Sequence, residues 1–186
     1  EFFQLDSSRK TLLIVGGSLG AWSVNEGVAN SLELWKDKGF QIIWQTGKLY
    51  FDRAIKKIAG NEDWVRVHAF IKQMDYAYAA ADLVVSRAGA LAVSELCLVM
   101  KPSIFVPLPS AAEDHQTKNA KVLTTLNAAH IIEDGAVRTK LAEKVMELIN
   151  NEEELSRLSD NIKPLGYHDA DDIIADEVIK LALDNE

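Results

Sequence analysis

Gly16-Gly17-Ser18-Leu19-Gly20-Ala21 is a run with almost no side chain, and the residues after it have a helical period. Such a turn lets backbone amides approach a phosphate or a sugar and presents them at a helix N-terminus, where anions are favoured. The same glycines would also serve a tight strand-to-helix turn with no ligand. A second run, Ser86-Arg87-Ala88-Gly89-Ala90, again opens a helical segment, with Ser94 and Glu95 about one turn further on. Its small residues suit a diphosphate, and a carboxylate at Glu95 can accept from both hydroxyls of a ribose. On spacing alone, Glu95 is equally an acidic residue favoured in the first turns of a helix. Arg87 could neutralise phosphate or pair with a neighbouring carboxylate; the second reading is favoured. A third cluster runs from Pro107 to Ala120, where Asp114, His115, Gln116 and Asn119 offer donors and acceptors suited to sugar hydroxyls. His115 is given a recognition role there, because a general base requires geometry that a sequence does not supply.

Two other phosphate motifs fail on their residues. A Walker A loop ends in Gly-Lys-Ser/Thr, whereas this loop ends in Gly20-Ala21-Trp22. A dinucleotide fingerprint needs the GxGxxG spacing and an acidic residue about 20 positions later; the second apolar run here ends in Gln45-Thr46-Gly47-Lys48, so NAD is not expected. Asp169-Ala170-Asp171 matches the string of metal-binding transferases. It falls just before the last helical segment and reads as helix capping, so neither a metal nor a cofactor is expected.

The elements that must position these loops follow a regular alternation. Short β-branched runs at 11–15, 41–45, 65–69, 83–86, 103–106 and 130–132 read as strands. Helical periods fall at 24–38, 51–59, 74–81, 91–99, 116–126, 140–150, 152–158 and 171–183. The pattern predicts an α/β fold: a Rossmann-like parallel sheet of about six strands with helices on both faces, and ligands at the carboxyl ends of the strands. Ser23 and Glu26 read as a capping box for the first helix. The whole chain reads as one domain, with a connector at 1–9, a core at 10–168 and a C-terminal helical segment at 169–186.

Composition fits such a domain. Of the 186 residues, 48% are hydrophobic and 26% charged, the balance of a globular protein. A net charge of −8 speaks against a nucleic-acid partner. The single cysteine, Cys97, lies in an apolar stretch and reads as packing. No apolar run approaches the roughly 20 residues of a membrane span, and the first residues lack the design of a signal peptide, so a cytoplasmic location is expected. The first residue is Glu1, which suggests a piece of a longer protein.

Taken in order, these segments resemble a known family. The glycine loop with Asn25 after it, Trp44-Gln45-Thr46-Gly47-Lys48, Phe70-Ile71-Lys72-Gln73-Met74, Ala80-Ala81-Asp82 through Ala90, Ser94-Glu95, and His115-Gln116 with Asn119-Ala120 are similar to the donor-binding half of glycosyltransferase family 28. These are the GT-B peptidoglycan N-acetylglucosaminyltransferases. Asp169-Ala170 and Ile174-Ala175-Asp176 resemble the family's C-terminal helix.

The resemblance implies transfer of N-acetylglucosamine from UDP-GlcNAc to an undecaprenyl-diphosphate-linked muramyl pentapeptide, converting lipid I to lipid II with inversion. It also implies site roles. Gly16, Gly17 and Ser18 approach the diphosphate, for which the small residues Ser86, Gly89 and Ala90 of the second loop are also suited by their types. Ile71 meets the uracil through its backbone, and Glu95 binds the ribose. His115 and Gln116 contact the GlcNAc, with Asn119 in the same cluster. The general base and the lipid-linked acceptor would belong to an N-terminal acceptor domain absent from this chain, leaving the chain no catalytic residue of its own. The full-length protein would lie peripherally on the cytoplasmic face of the inner membrane. The chain departs from the family at Leu19, where Gln is usual, and at His115, where Gln is frequent. Two alternatives stay open: a stand-alone donor-binding subunit of a split transferase, and a GT-B UDP-sugar epimerase, which would need Glu113, Asp114 and His115 to face the sugar.

Overall fold

Alternation along the first strand sets up the whole molecule. In β1 (Lys10–Val15), Leu12 and Ile14 point into one hydrophobic cluster and Leu13 and Val15 into another. Burial on both faces is what a central parallel strand requires, and it explains the continuous apolar run. The computed structural model describes residues 2–183; Glu1 of the connector and Asp184 to Glu186 of the C-terminal segment lie outside the described residues.

β1 is joined by β2 (Phe40–Gln45), β3 (Val65–His68), β4 (Leu83–Ser86), β5 (Ser103–Phe105) and β6 (His130–Ile131) in one parallel sheet of order β3-β2-β1-β4-β5-β6. Chain direction across the sheet therefore reverses between β1 and β4, and a crevice opens at the carboxyl ends of those two strands. Register makes the opening level: Val15 pairs with Gln45 on one side and with Ser86 on the other. Gly16, Thr46 and Arg87 thus leave the sheet side by side.

Eight α-helices complete the described residues: α1 (Trp22–Trp35), α2 (Lys48–Lys57), α3 (Met74–Ala80), α4 (Ala90–Leu98), α5 (His115–Thr125), α6 (Val137–Ile149), α7 (Glu152–Ile162) and α8 (Ala170–Leu183). On one face of the sheet, α1 packs Val24, Val28 and Leu32 with Val137, Leu141 and Val145 of α6 over Leu12, Ile14 and Ile42. On the other, Ala77 of α3, Leu96 of α4 and Leu123 of α5 cover Leu13, Ile43 and Phe105. A fully buried side chain of this size contributes about 1.5–3 kcal/mol relative to exposure, so both layers are needed. The expected α/β sheet with helices on both faces is the observed one. α7 runs on to Ile162, past the expected end at Leu158, because Leu155, Leu158 and Ile162 bury one continuous stripe. Cys97 is buried in the second cluster, and burial pushes its thiol pKa up.

The capping box is a correction. α1 starts at Trp22 with Ala21 as its cap and no side-chain cap bond, which places Ser23 inside the first turn. The Ser23 hydroxyl donates to Asp134 Oδ1 at 2.5 Å, while Glu26 accepts from the Tyr50 hydroxyl at 2.6 Å and pairs with Arg53 at 3.0 Å. Partners distant in sequence have drawn both side chains away from the local box.

α8 differs from the other helices in having no buried residue. Asp169 immediately precedes it and accepts from the Ile173 amide through its carbonyl at 3.0 Å; Asp171 and Asp172 occupy the first turn, where acids complement the helix dipole. Among the described residues, no three His, Cys, Asp or Glu side chains gather as a metal cluster, and no helix is long and apolar enough to cross a membrane.

Asn25 fastens α1 to the end of β2. It is 2% exposed, donates from Nδ2 to the Thr46 carbonyl at 2.9 Å and accepts from Trp44 Nε1 at 3.0 Å. Replacing it with Ala strands two buried polar groups at roughly 1–3 kcal/mol each. The expected outcome for Asn25→Ala is a lower urea midpoint with an unchanged denaturant slope.

Candidate functional site

A cavity of about 1000 Å³ fills the crevice between the exits of β1 and β4. Gly16, Gly17, Ser18 and Gly20 form one wall; Ser86, Arg87 and Gly89 form the facing one. Both walls lead into helix N-termini, those of α1 and α4, each of which carries about half a positive charge. Phe70, Ile71, Met74 and Tyr78 make an apolar side, and Glu95, Gln116, Asp134 and Arg138 bring the polar groups.

Glycine is required on the first wall. Gly20 has φ +81°, and a Cβ there would stand 2.0 Å from the Thr46 carbonyl oxygen. Gly47, at φ +75°, is confined in the same way: a Cβ there would stand 2.3 Å from the Leu19 carbonyl oxygen. The loop after β1 therefore rests directly on the turn after β2, with the Leu19 side chain 83% exposed.

Gln45 ties two lips of the cavity together. Buried at the end of β2, it donates from Nε2 to the Gly17 carbonyl at 3.1 Å and accepts from the Ile71 amide through Oε1 at 2.8 Å. The glycine loop and the apolar side are thus held by one side chain.

Glu95 is the sixth residue of α4, past the first turn, so the helix dipole does not account for its place. Its Oε2 accepts from the Tyr78 hydroxyl at 2.8 Å, and among the described residues no other group hydrogen-bonds the carboxylate. Burial first, and then the neighbouring Glu95, hold the Tyr78 pKa well above the ordinary phenol range, which keeps it a neutral donor.

Arg87 pairs with Asp134 at 2.5 Å, as its sequence reading favoured. It also donates to Ser23 Oγ at 3.0 Å and to the Val106 carbonyl at 3.0 Å, tying the first turn of α1 to the segments that follow β5 and β6. Its charge is largely matched, whereas Arg138 has no ion-pair partner among the described residues.

Gly16, Gly17, Ser18, Ile71, Ser86, Gly89, Glu95 and Gln116 come together around this one cavity. Ala90, His115 and Asn119 do not line it. Ala90 opens α4 beside Gly89; His115 is exposed and donates from Nδ1 to the Ala112 carbonyl at 2.8 Å; Asn119 donates to the Ala88 carbonyl at 3.1 Å and so braces the loop after β4. Glu113 and Asp114, with left-handed φ of 51° and 54°, turn the chain just before α5 and also stand off the cavity. The sequence reading missed Gln45, Tyr78, Asp134 and Arg138 as site residues. Polar residues at or just beyond strand ends could have flagged Gln45 and Asp134; nothing local marks Tyr78 or Arg138.

Residues 11–174 match the family described as Glycosyltransferase family 28 C-terminal domain. The chain belongs to this family. A family relative from Phocaeicola vulgatus, named UDP-N-acetylglucosamine--N-acetylmuramyl-(pentapeptide) pyrophosphoryl-undecaprenol N-acetylglucosamine transferase, is 50% identical over 97% of this chain and 48% of its own. One of the same name from Christiangramia forsetii is 45% identical over 97% of this chain and 49% of its own. The crystal structure of Acinetobacter baumannii MurG superposes with a TM-score of 0.83 at 30% identity, over 95% of this chain and 51% of that one. The chain therefore spans about half the length of the relatives it matches.

Proposed function

We propose that this chain is the UDP-N-acetylglucosamine-binding domain of an inverting N-acetylglucosaminyltransferase that converts lipid I to lipid II. The observation that carries the reading is the convergence of the glycine loop, Ile71 and Glu95 on one cavity between two helix N-termini. The name shared by the relatives supports it by giving both donor and acceptor.

In this reading the diphosphate lies along Gly16, Gly17 and Ser18 on one wall and Ser86 and Gly89 on the other, with Ala90 opening the helix behind them. Arg87 is occupied by Asp134, so the anion is met mainly by backbone amides, the helix dipoles and Arg138. Uracil sits against Ile71, whose amide already serves Gln45, so a backbone contact to the base falls to the Ile71 carbonyl. Ribose hydroxyls donate to Glu95. The sugar extends toward Gln116 at the start of α5, with His115 and Asn119 of the same helix standing off the cavity.

Amides fixed before the reaction stabilise the charge that develops on the departing UDP. The chain supplies this leaving-group side of the reaction. The base that activates the acceptor, and the surface that holds the undecaprenyl chain against the cytoplasmic face of the membrane, are assigned to an N-terminal acceptor domain. An epimerase reading is less well supported, since Glu113, Asp114 and His115 all stand off the cavity.

Calorimetric titration with UDP, UDP-GlcNAc and UDP-glucose tests the proposal. Expected are binding of UDP and UDP-GlcNAc, a preference over UDP-glucose, and the same affinities in Mg²⁺ and in EDTA. Asp169→Asn with Asp171→Asn should change none of these. Silence toward every uridine nucleotide would overturn the donor reading, and a metal requirement abolished by the Asp substitutions would overturn the capping role of that segment.

A further inference from the structure

Tyr78 lies in the last turn of α3 with its ring in the hydrophobic cluster under that helix, only 6% exposed. Its hydroxyl nevertheless reaches the cavity and donates to Glu95 Oε2 at 2.8 Å. Met74, four residues earlier and so on the same face of α3, lines the cavity beside Ile71. One short helix thus presents both the apolar wall and the donor that holds the carboxylate.

Glu95 itself is exposed, and an exposed glutamate has three free torsions to fix before it can accept two hydroxyls in a set geometry. A carboxylate offers about four acceptor positions. One hydrogen bond from a phenol anchored in the core restricts the glutamate's torsions while leaving the carboxylate's other acceptor positions unused by the other described residues.

We propose that Tyr78 is the positioning residue for Glu95 and thereby sets a preference for ribose over 2′-deoxyribose nucleotides. The inference rests on the ribose role proposed above for Glu95. By this account, a phenylalanine in place of Tyr78 keeps the packing and releases the carboxylate. The ordering cost then falls on binding, and only for ligands whose hydroxyls use Glu95.

The test is calorimetry with UDP and 2′-deoxy-UDP on the chain itself and on its Tyr78→Phe, Glu95→Ala and doubly substituted forms, with thermal unfolding as the check on folding. Tyr78→Phe is expected to weaken UDP by about 3- to 10-fold, the effect of one modest hydrogen bond, while 2′-deoxy-UDP, which keeps only the 3′ hydroxyl for Glu95, loses less and the preference between them narrows. In the Glu95→Ala background, Tyr78→Phe should have no further effect. An equal loss for both nucleotides, or a loss that persists without Glu95, would make Tyr78 a direct contact or a packing residue and overturn the positioning role. If Glu95→Ala leaves UDP binding unchanged, the ribose assignment falls and the positioning role falls with it. A weakened Glu95→Ala beside an unaffected Tyr78→Phe would remove the positioning role alone.

Discussion

Glu95→Ala is expected to weaken UDP binding by about 10- to 150-fold, the equivalent of roughly 1.5–3 kcal/mol for hydrogen bonds to a charged group. The folded state should tolerate the change, because Glu95 is exposed and its one hydrogen-bond partner among the described residues is the Tyr78 hydroxyl at the cavity. Glu95→Gln separates charge from shape. It keeps an acceptor oxygen for one hydroxyl but loses the charge assistance, so its affinity should fall between those of the native chain and the alanine form. Uracil and pyrophosphate lack the ribose and should bind all three forms alike. Titration of UDP into the three proteins decides the matter: unchanged affinity in Glu95→Ala would remove the ribose assignment.

Gly20→Ala should be the most damaging small substitution in the glycine loop. The residue has φ +81°, and an added methyl would stand 2.0 Å from the Thr46 carbonyl oxygen. Left-handed backbone costs an alanine about 1–2 kcal/mol, and forcing atoms into a packed position costs about 1–3 kcal/mol more. The loop would have to lift from the turn after β2, carrying Gly17 and Ser18 out of line, so UDP affinity should fall along with stability. Gly60 provides the comparison. It has the same φ of +81° but nothing within 4 Å of an added Cβ, so Gly60→Ala should show only the backbone cost. Urea midpoints of the two variants measure the difference, and equal losses would show that the contact with Thr46 does not fix the loop.

The inner strands β1, β2, β4 and β5 were legible because each is a short, largely apolar run buried on both faces, while the edge strands β3 and β6 are only partly buried; 11–15, expected from sequence, is β1 less its first residue. Helix periods were legible in α1 to α7 because each buries one stripe of apolar residues against the sheet or a neighbouring helix. The strand order was not, since nothing in the spacing of β1 and β4 says that they become neighbours. The capping box failed where a local rule met a distant competitor: the Arg87 and Asp134 pair reached Ser23 from elsewhere in the fold. The glycine loop and Glu95 could be read because the chemistry of each is carried by one residue type in one place. Tyr78 could not, as its significance is its distance to Glu95, set by how α3 and α4 lie on the sheet. Asn119 and His115 marked the right helix, but a helix start does not tell which of its residues turn inward.

The sheet order has a consequence for how the chain is made. β1 needs β4 as its second neighbour, and the residues that pair, Leu12 with Leu83, are about 70 positions apart. At roughly 5–20 residues per second of synthesis, the free edge of β1 waits about 4–14 seconds for its partner. Meanwhile β2 and β3 can add only to its other side. Later still come Val137, Leu141 and Val145 of α6, which cover the layer that α1 has begun. A nascent chain stalled between β3 and β4 would carry an open apolar edge, the kind of template on which strands of other chains assemble.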